Sequence, residues 1–154
     1  MEEKIVAKNP EAYHNYFIND TLEAGIVLSG TEIKSIRNGK VNIKDSYVII
    51  KNSEAFVIGM NISPYEHGNI YNKDPLRTRK LLLKKREINK LFGQVSQKSI
   101  SLIPTKLYFK GNIVKLEIGI GKGKKNYDKR NDMAKKEANE KIKRALKEKN
   151  KSID

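Results

Sequence analysis

Apolar side chains recur in short alternating runs through the first 120 residues and then thin out sharply. In TLEAGIVL (21–28), Leu22, Ala24, Ile26 and Leu28 fall on one face and Glu23, Gly25 and Val27 on the other. This period of two is the mark of a half-buried strand. YHNYFIND (13–20) precedes it as the other member of a first strand pair. SYVIIK (46–51) and EAFVIGMNI (54–62) read as two strands joined at Asn52-Ser53. A last hairpin runs through ISLIPTKLYF, a turn at Lys110-Gly111-Asn112, and IVKLEIGIG, with Val114, Leu116, Ile118 and Ile120 pointing inward. Helical spacing appears twice. Ser29 and Glu32 make an S-x-x-E capping box, Asn38-Gly39 closes that helix, Ile33 and Ile36 face in, and Lys34 and Arg37 face out. Ile88, Leu91, Phe92 and Val95 stand at i, i+3, i+4 and i+7 of a second helix. Residues 63–80 hold two prolines and no period, so they read as loop. Roughly six mostly antiparallel strands with two helices predict a mainly β fold built on a small barrel.

The pattern changes at Gly121. From there to Asp154 the only large apolar side chains are Tyr127, Met133, Ile142, Leu146 and Ile153. Thirteen Lys or Arg face six Asp or Glu, a net +7 and half of the chain's +14. Ordering a backbone costs roughly 1–2 kcal/mol per residue, more than so little apolar surface offsets. The chain thus divides into a folded body, 1–120, and a basic arm, 121–154, that is mobile until it meets a polyanion. Within the arm, Asp132 to Lys149 has helical potential: Glu137 precedes Lys141, and Glu140 precedes Arg144, by four residues. Ala134, Ala138, Ile142 and Ala145 or Leu146 add a thin apolar stripe. Such a helix is marginal in isolation and folds on contact with RNA.

Charge selects the partner. A net +14 fits nucleic acid or an anionic membrane surface. No membrane-surface helix with a large apolar face is visible, and no apolar run reaches the roughly 18–20 residues of a span. The N-terminal MEEKIVAKNPEAY lacks a signal-peptide core. The absence of cysteine excludes disulfides, thiolate metal sites and a cysteine nucleophile, and fits a cytoplasmic setting. The only histidines, His14 and His67, have no matching ligand set. No nucleophile with its base and no paired carboxylate site stands out, so an enzyme such as a nuclease is disfavoured. The expectation is no catalytic residue, no metal and no cofactor.

Several positions carry two readings. Gly119, Gly121 and Gly123 either let backbone approach a phosphate chain beside Lys122, Lys124 and Lys125, or form a flexible linker. Glu23, a carboxylate on the outward face of a cationic protein, either accepts from base edges or pairs with a neighbouring base of its own chain. Arg77, Arg79 and Lys80 make a phosphate clamp or a solvated charge run. Tyr13, Tyr16 and Tyr47 stack on bases or fill the core.

GTEIKSIRNGKVNIKDSYV (30–48), EAF with N-I-S-P (54–64), DPLRTRKLLL (74–83) and GKGKKNYDKR (121–130) resemble, in order, the signature blocks of the SsrA-binding protein (small protein B, SmpB) family. The resemblance implies an OB-like antiparallel β-barrel with flanking helices and a basic C-terminal tail, disordered when free. It implies an adaptor of trans-translation without enzymatic activity. Such an adaptor binds the tRNA-like domain of transfer-messenger RNA (SsrA RNA) and brings it to stalled ribosomes. Its tail enters the empty mRNA channel near the small-subunit decoding centre and becomes helical there. Asn9, Glu23 and Leu82 match family positions that bind the RNA, with Gly25 beside them. Lys34, Arg37, Arg77, Arg79, Lys80, Lys122, Lys124 and Lys125 would support its phosphates. Asp128, Lys129 and Arg130 match the tail motif of the ribosomal step, and Tyr127 stands where some relatives have histidine. A structural ribosomal protein or a general OB-type RNA binder shares the charge and fold and is the second reading.

Overall fold

A computed structural model of the chain describes residues 2–66, 72–97 and 100–152. It divides into two units, Met1–Gly123 and Lys124–Asp154. In the first, the order is β1 (Glu3–Lys8), α1 (Pro10–Asn15), β2 (Tyr16–Ile26), α2 (Gly30–Arg37), β3 (Val41–Asn42), β4 (Tyr47–Lys51), β5 (Glu54–Ile58), β6 (Asn61–Ile62), β7 (Arg79–Leu82), α3 (Lys85–Ser96), β8 (Ile100–Lys110) and β9 (Ile113–Gly123). Seven strands form one antiparallel sheet in the order β1-β8-β9-β2-β7-β5-β4, and β3 pairs with β6. β4 also packs against β8 without ladder hydrogen bonds, so the sheet curls around its own core. Ile36, Val57, Leu81, Leu107, Leu116 and Ile118 lie at the centre of that core.

The mainly β, barrel-like body with flanking helices agrees with the alternation pattern. The differences are local. Residues 13–28 are not two strands. Pro10, whose missing N–H costs nothing in a first helical turn, opens the short α1 through Asn15. Tyr16 to Ile26 is then a single strand, with a bulge near Asn19 where pairing to β9 slips. EAFVIGMNI breaks at Gly59, which turns at φ +83 and leads β6 into the small second sheet. Asn52 and Ser53, at φ 52 and 60, make the two-residue turn between β4 and β5 that twists with its strands. In the last hairpin the turn shortens to Gly111-Asn112, because Lys110 still pairs with Ile113.

Both caps of α2 form as the sequence indicates. The Ser29 hydroxyl accepts from the Glu32 amide, the Glu32 carboxylate accepts from the Ser29 amide, and Gly39 leaves the helix at φ +73. α3 keeps only half of its expected stripe inside: Ile88 and Leu91 are buried, whereas Phe92 and Val95 are exposed. β9 runs past residue 120 to Gly123, so the first glycines of the basic stretch belong to the sheet. A Cβ at Gly121 would sit 2.5 Å from the Phe17 carbonyl oxygen, and one at Gly119 would sit 2.9 Å from the Thr105 side chain and 3.0 Å from that of Ile18. Gly121 thus serves the close approach of β2 to β9, and Gly119 makes room for Thr105 of β8 and Ile18 of β2, which neither a linker nor a phosphate loop describes.

In the second unit, Asn126–Ser152 is one helix, α4. It starts six residues before the Asp132 expected from the charge pairs. Asp128 lies in its first turn, where a carboxylate complements the helix dipole, and accepts from the Lys125 amide at 3.1 Å. Lys124 pairs with Asp132. Met133, Ile142 and Leu146 are exposed. Ile153 lies outside the described residues.

Candidate nucleic-acid interface

Register alone assembles the outer face of the sheet. On β2, Glu23 stands opposite Glu117 of β9, and Gly25 stands between Lys115 of β9 and Leu82 of β7. Two residues on along β9, Ile113 stands opposite Lys110 of β8. Glu23, Gly25 and Leu82 lie together on this face. A Cβ at Gly25 would lie 3.2 Å from the Leu82 Cβ, so glycine keeps this part of the face shallow. Leu82 and Ile113 are 56 % and 58 % exposed, unusually open for branched aliphatic side chains on a folded sheet. With Gly25, Leu28 and Lys115 they line a cleft of about 340 Å³.

Glu23 has the intramolecular partners of its second reading, and stays accessible enough to serve the first. It has intramolecular partners: the Tyr108 hydroxyl donates to Oε2, and Lys110 Nζ lies 3.5 Å from Oε1. Its side chain is nevertheless 35 % exposed. The Tyr108 hydrogen bond, aided by Lys110 and Lys115 against a smaller burial effect, lowers its pKa below the ordinary carboxylate range. The face thus offers an ionised acceptor, an apolar platform and two lysines. Those are the groups needed to accept from a base edge, to cover a base face and to neutralise phosphate. Lys115 and Ile113 were not singled out by sequence. Counting register from the Gly111-Asn112 turn places them opposite Tyr108 and Lys110, but the pairing of β9 with β2 that brings Lys115 to Gly25 is long-range.

The basic loop triplet does not form a clamp. Arg79 opens β7 and is fully buried. Its guanidinium donates to Glu32 Oε2 at 2.7 Å and to the carbonyls of Met60, Pro75 and Arg77 at 2.7, 3.0 and 3.2 Å. A group so enclosed cannot meet a phosphate, which corrects its place among the RNA contacts. Arg77 donates to both oxygens of Glu32, at 3.0 and 2.5 Å, and to the Val27 carbonyl at 3.3 Å. Lys80 pairs with Glu54 at 2.7 Å on the surface. Glu32 is therefore more than a cap. Burial would raise its pKa, but hydrogen bonds from Arg77, the Ser29 amide and Arg79 hold it down at about 2. The capping box was legible; the two arginines reaching it from 45 and 47 residues away were not.

Asn9 is also internal. It is 5 % exposed, its amide donates to the Thr105 carbonyl at 2.8 Å, and its side-chain Nδ2 donates to the Pro104 carbonyl at 3.0 Å. It locks the start of α1 to β8. Lys34 and Arg37 leave α2 over aromatic rings, Lys34 Nζ 5.3 Å from the Tyr65 ring centre and Arg37 Cζ 5.7 Å from that of Phe109. Lys122 is exposed on β9, and Lys125 and Tyr127 are exposed in the second unit. Asp128, Lys129 and Arg130 occupy the start of α4. Tyr13 and Tyr47 are exposed and Tyr16 half-buried, so none is a core residue. His14 lies in α1; His67 lies outside the described residues. Among the described residues no helix is long and apolar enough to cross a membrane.

A curled antiparallel sheet with such a face, in a chain of net +14, defines a nucleic-acid-binding β-barrel protein. The model of the SmpB protein family matches residues 6–148, and the chain belongs to that family. It is 62 % identical over 147 residues to the SsrA-binding protein of Acetivibrio thermocellus, covering 96 % of each chain. It is 60 % identical over 148 residues to the SsrA-binding protein of Thermoanaerobacter pseudethanolicus, covering 96 % of this chain and 95 % of that one. A chain in a solved structure described as "tmRNA-SmpB: a journey to the center of the bacterial ribosome" superposes with a TM-score of 0.65. It is 44 % identical, with 77 % of this chain and 84 % of that chain covered.

Proposed function

We propose that the protein is an RNA-binding adaptor of trans-translation, without catalytic activity of its own, that works in the cytoplasm. It binds the tRNA-like domain of transfer-messenger RNA and carries it to stalled ribosomes. The observation that carries this reading is the meeting of Glu23, Gly25 and Leu82 with Lys115 and Ile113 on one outer face of the barrel. Lys34, Arg37 and Lys122 extend the cationic surface of the body, and Lys124 and Lys125 begin the arm. The remainder of the arm, led by Tyr127, Asp128, Lys129 and Arg130, enters the vacant mRNA channel of the small subunit. An isolated helix with so little apolar surface is marginal in water, and the ribosomal RNA around it supplies the counter-charge that makes α4 persistent.

Sequencing the RNA that co-purifies with the protein from cells tests the reading. Transfer-messenger RNA should dominate. Recovery of ribosomal RNA from all ribosomes in equal measure, with no enrichment of transfer-messenger RNA, would identify a structural ribosomal component instead. Release of shorter products from labelled RNA by the pure protein with magnesium would overturn the non-enzymatic assignment.

A further inference from the structure

Tyr108 lies on β8, two strands away from Glu23, and reaches across β9 to touch it. It points to the outer face, between the positions of Ile5 on β1 and Lys115 on β9, yet it is only 2 % exposed. Lys106 Nζ sits 5.1 Å from its ring centre. A tyrosine covered this fully on the outside of a barrel presents no surface to a ligand. What it does present is a hydroxyl, and that hydroxyl is given to one oxygen of the carboxylate that faces the RNA.

We propose that Tyr108 is a positioning residue for RNA binding, which holds the Glu23 carboxylate by Oε2 so that Oε1, only loosely paired with Lys110, can still accept from the donors of a base. The inference rests on the reading of Glu23 as an RNA contact. A free glutamate side chain has three rotatable bonds, and roughly 1.5–2 kcal/mol of rotamer entropy is lost when it is held. Here that ordering precedes binding, which is the gain of a preorganised site. The hydroxyl also settles a local competition. The charged groups facing Glu23 are Lys110 on β8 and Lys115 and Glu117 on β9. Without Tyr108, the carboxylate is free to turn fully onto Lys110, which now stands at 3.5 Å, and its acceptor edge is then occupied. Burial and the Glu23 bond raise the Tyr108 pKa, so the phenol keeps its proton and remains a donor wherever Glu23 is ionised.

The test is a double-mutant cycle in the full chain, with an in vitro transcribed tRNA-like domain as probe at fixed salt. Tyr108→Phe keeps the ring and removes the hydroxyl; Glu23→Gln keeps the shape and removes the charge. Tyr108→Phe is expected to weaken binding roughly ten- to hundredfold, the usual worth of a hydrogen bond to a charged group. In the Glu23→Gln background it should change affinity by less than about twofold, because a residue acting through another has nothing left to act on. Additive losses, or an unchanged affinity for Tyr108→Phe while Glu23→Gln binds weakly, would overturn the positioning role. Full binding by Glu23→Gln would overturn the Glu23 reading and the inference with it. Titration of the Glu23 side-chain carboxyl by carbon NMR in the RNA-free protein is the independent readout: its pKa should rise in Tyr108→Phe, and an unmoved titration refutes the contact.

Discussion

Replacing Glu32 by glutamine should destabilise the body far more than any neutral cap exchange. The substitution is chosen to isolate charge. Glutamine at the third helical position can still complete a capping box, so the reciprocal bonds with Ser29 survive. What is lost is the countercharge of Arg79, whose guanidinium is fully buried and keeps only the carbonyls of Met60, Pro75 and Arg77. Arg77 is 29 % exposed and can turn toward water; Arg79 cannot. The size of the effect follows from the proton linkage. A carboxyl moved from 4.5 to about 2 is stabilised in its charged form by about 3 kcal/mol. That agrees with the roughly 3–5 kcal/mol cost of removing one partner of a buried ion pair. Against a total stability of about 5–15 kcal/mol, this is a large fraction. With a urea dependence near 2 kcal/mol per molar, the unfolding midpoint should fall by about 1.5 M. Equilibrium urea unfolding of the full chain, followed by far-UV circular dichroism at pH 7, reads it directly. A midpoint within about 0.3 M of the parent would refute the idea that Arg79 depends on Glu32. Replacing both members together, Glu32→Leu with Arg79→Met, should leave the protein more stable than Glu32→Gln, since no buried charge is then stranded.

The same pair predicts the response to acid. Because the Glu32 pKa is depressed, its contribution is complete above about 4.5 and is lost as pH falls through about 2, so stability should decline across that window and Glu32→Gln should flatten the decline. A parent and variant with parallel stability curves between pH 5 and 2 would contradict this. Gly121→Ala places a methyl 2.5 Å from the Phe17 carbonyl oxygen in a paired strand, and should cost about 1–3 kcal/mol and lower Tm by several degrees; an unchanged melting curve would show that β2 and β9 can part without cost. Truncation after Lys125 removes α4 and should leave binding of the tRNA-like RNA nearly intact while abolishing rescue in a reconstituted assay of ribosomes stalled on messages without a stop codon. Normal rescue by the truncated chain would refute the role given to the arm.

Local chemistry was legible in this chain, and long-range chemistry was not. The alternation of Leu22, Ala24 and Ile26 within β2, the Ser29–Glu32 box and the Asn52-Ser53 turn each depend on neighbours within a few residues, and each formed as read, although the bounds of the strand did not. Arg77, Arg79 and Lys80 show where this ends. Three bases within four positions look equivalent in sequence. The strand that begins at Arg79 sends alternate side chains to opposite faces, so Arg79 goes inside and Lys80 stays outside. Only the fold could supply the carboxylate, 47 positions earlier, that makes the inside tolerable. The anchoring of Asn9 was hidden for the same reason: its partners at Pro104 and Thr105 are nearly a hundred residues away. The outward placement of Glu23 was legible because it depends on a local pattern. The alternation alone put this carboxylate on the outward face of a cationic protein, where it weakens the attraction for phosphate.

The glycines of the basic stretch carry the last consequence. Read as a loop, Gly119 to Gly123 would let the arm swing freely from the end of a barrel at residue 120. Instead β9 holds them against β2 as far as the pairs of Lys122 with Phe17 and Gly123 with Tyr16. Lys122 therefore projects from a fixed strand, and Lys124 is the first residue of the arm to be free of the sheet. A fixed exit restricts where the arm can search, because the volume open to a tethered segment is measured from its anchor. On the proposed role of the arm, the tight packing at Gly121 bears on the ribosomal step as well as on stability. Loosening it should lengthen the effective tether and lower the local concentration of α4 at its channel, even where the barrel still folds and binds RNA.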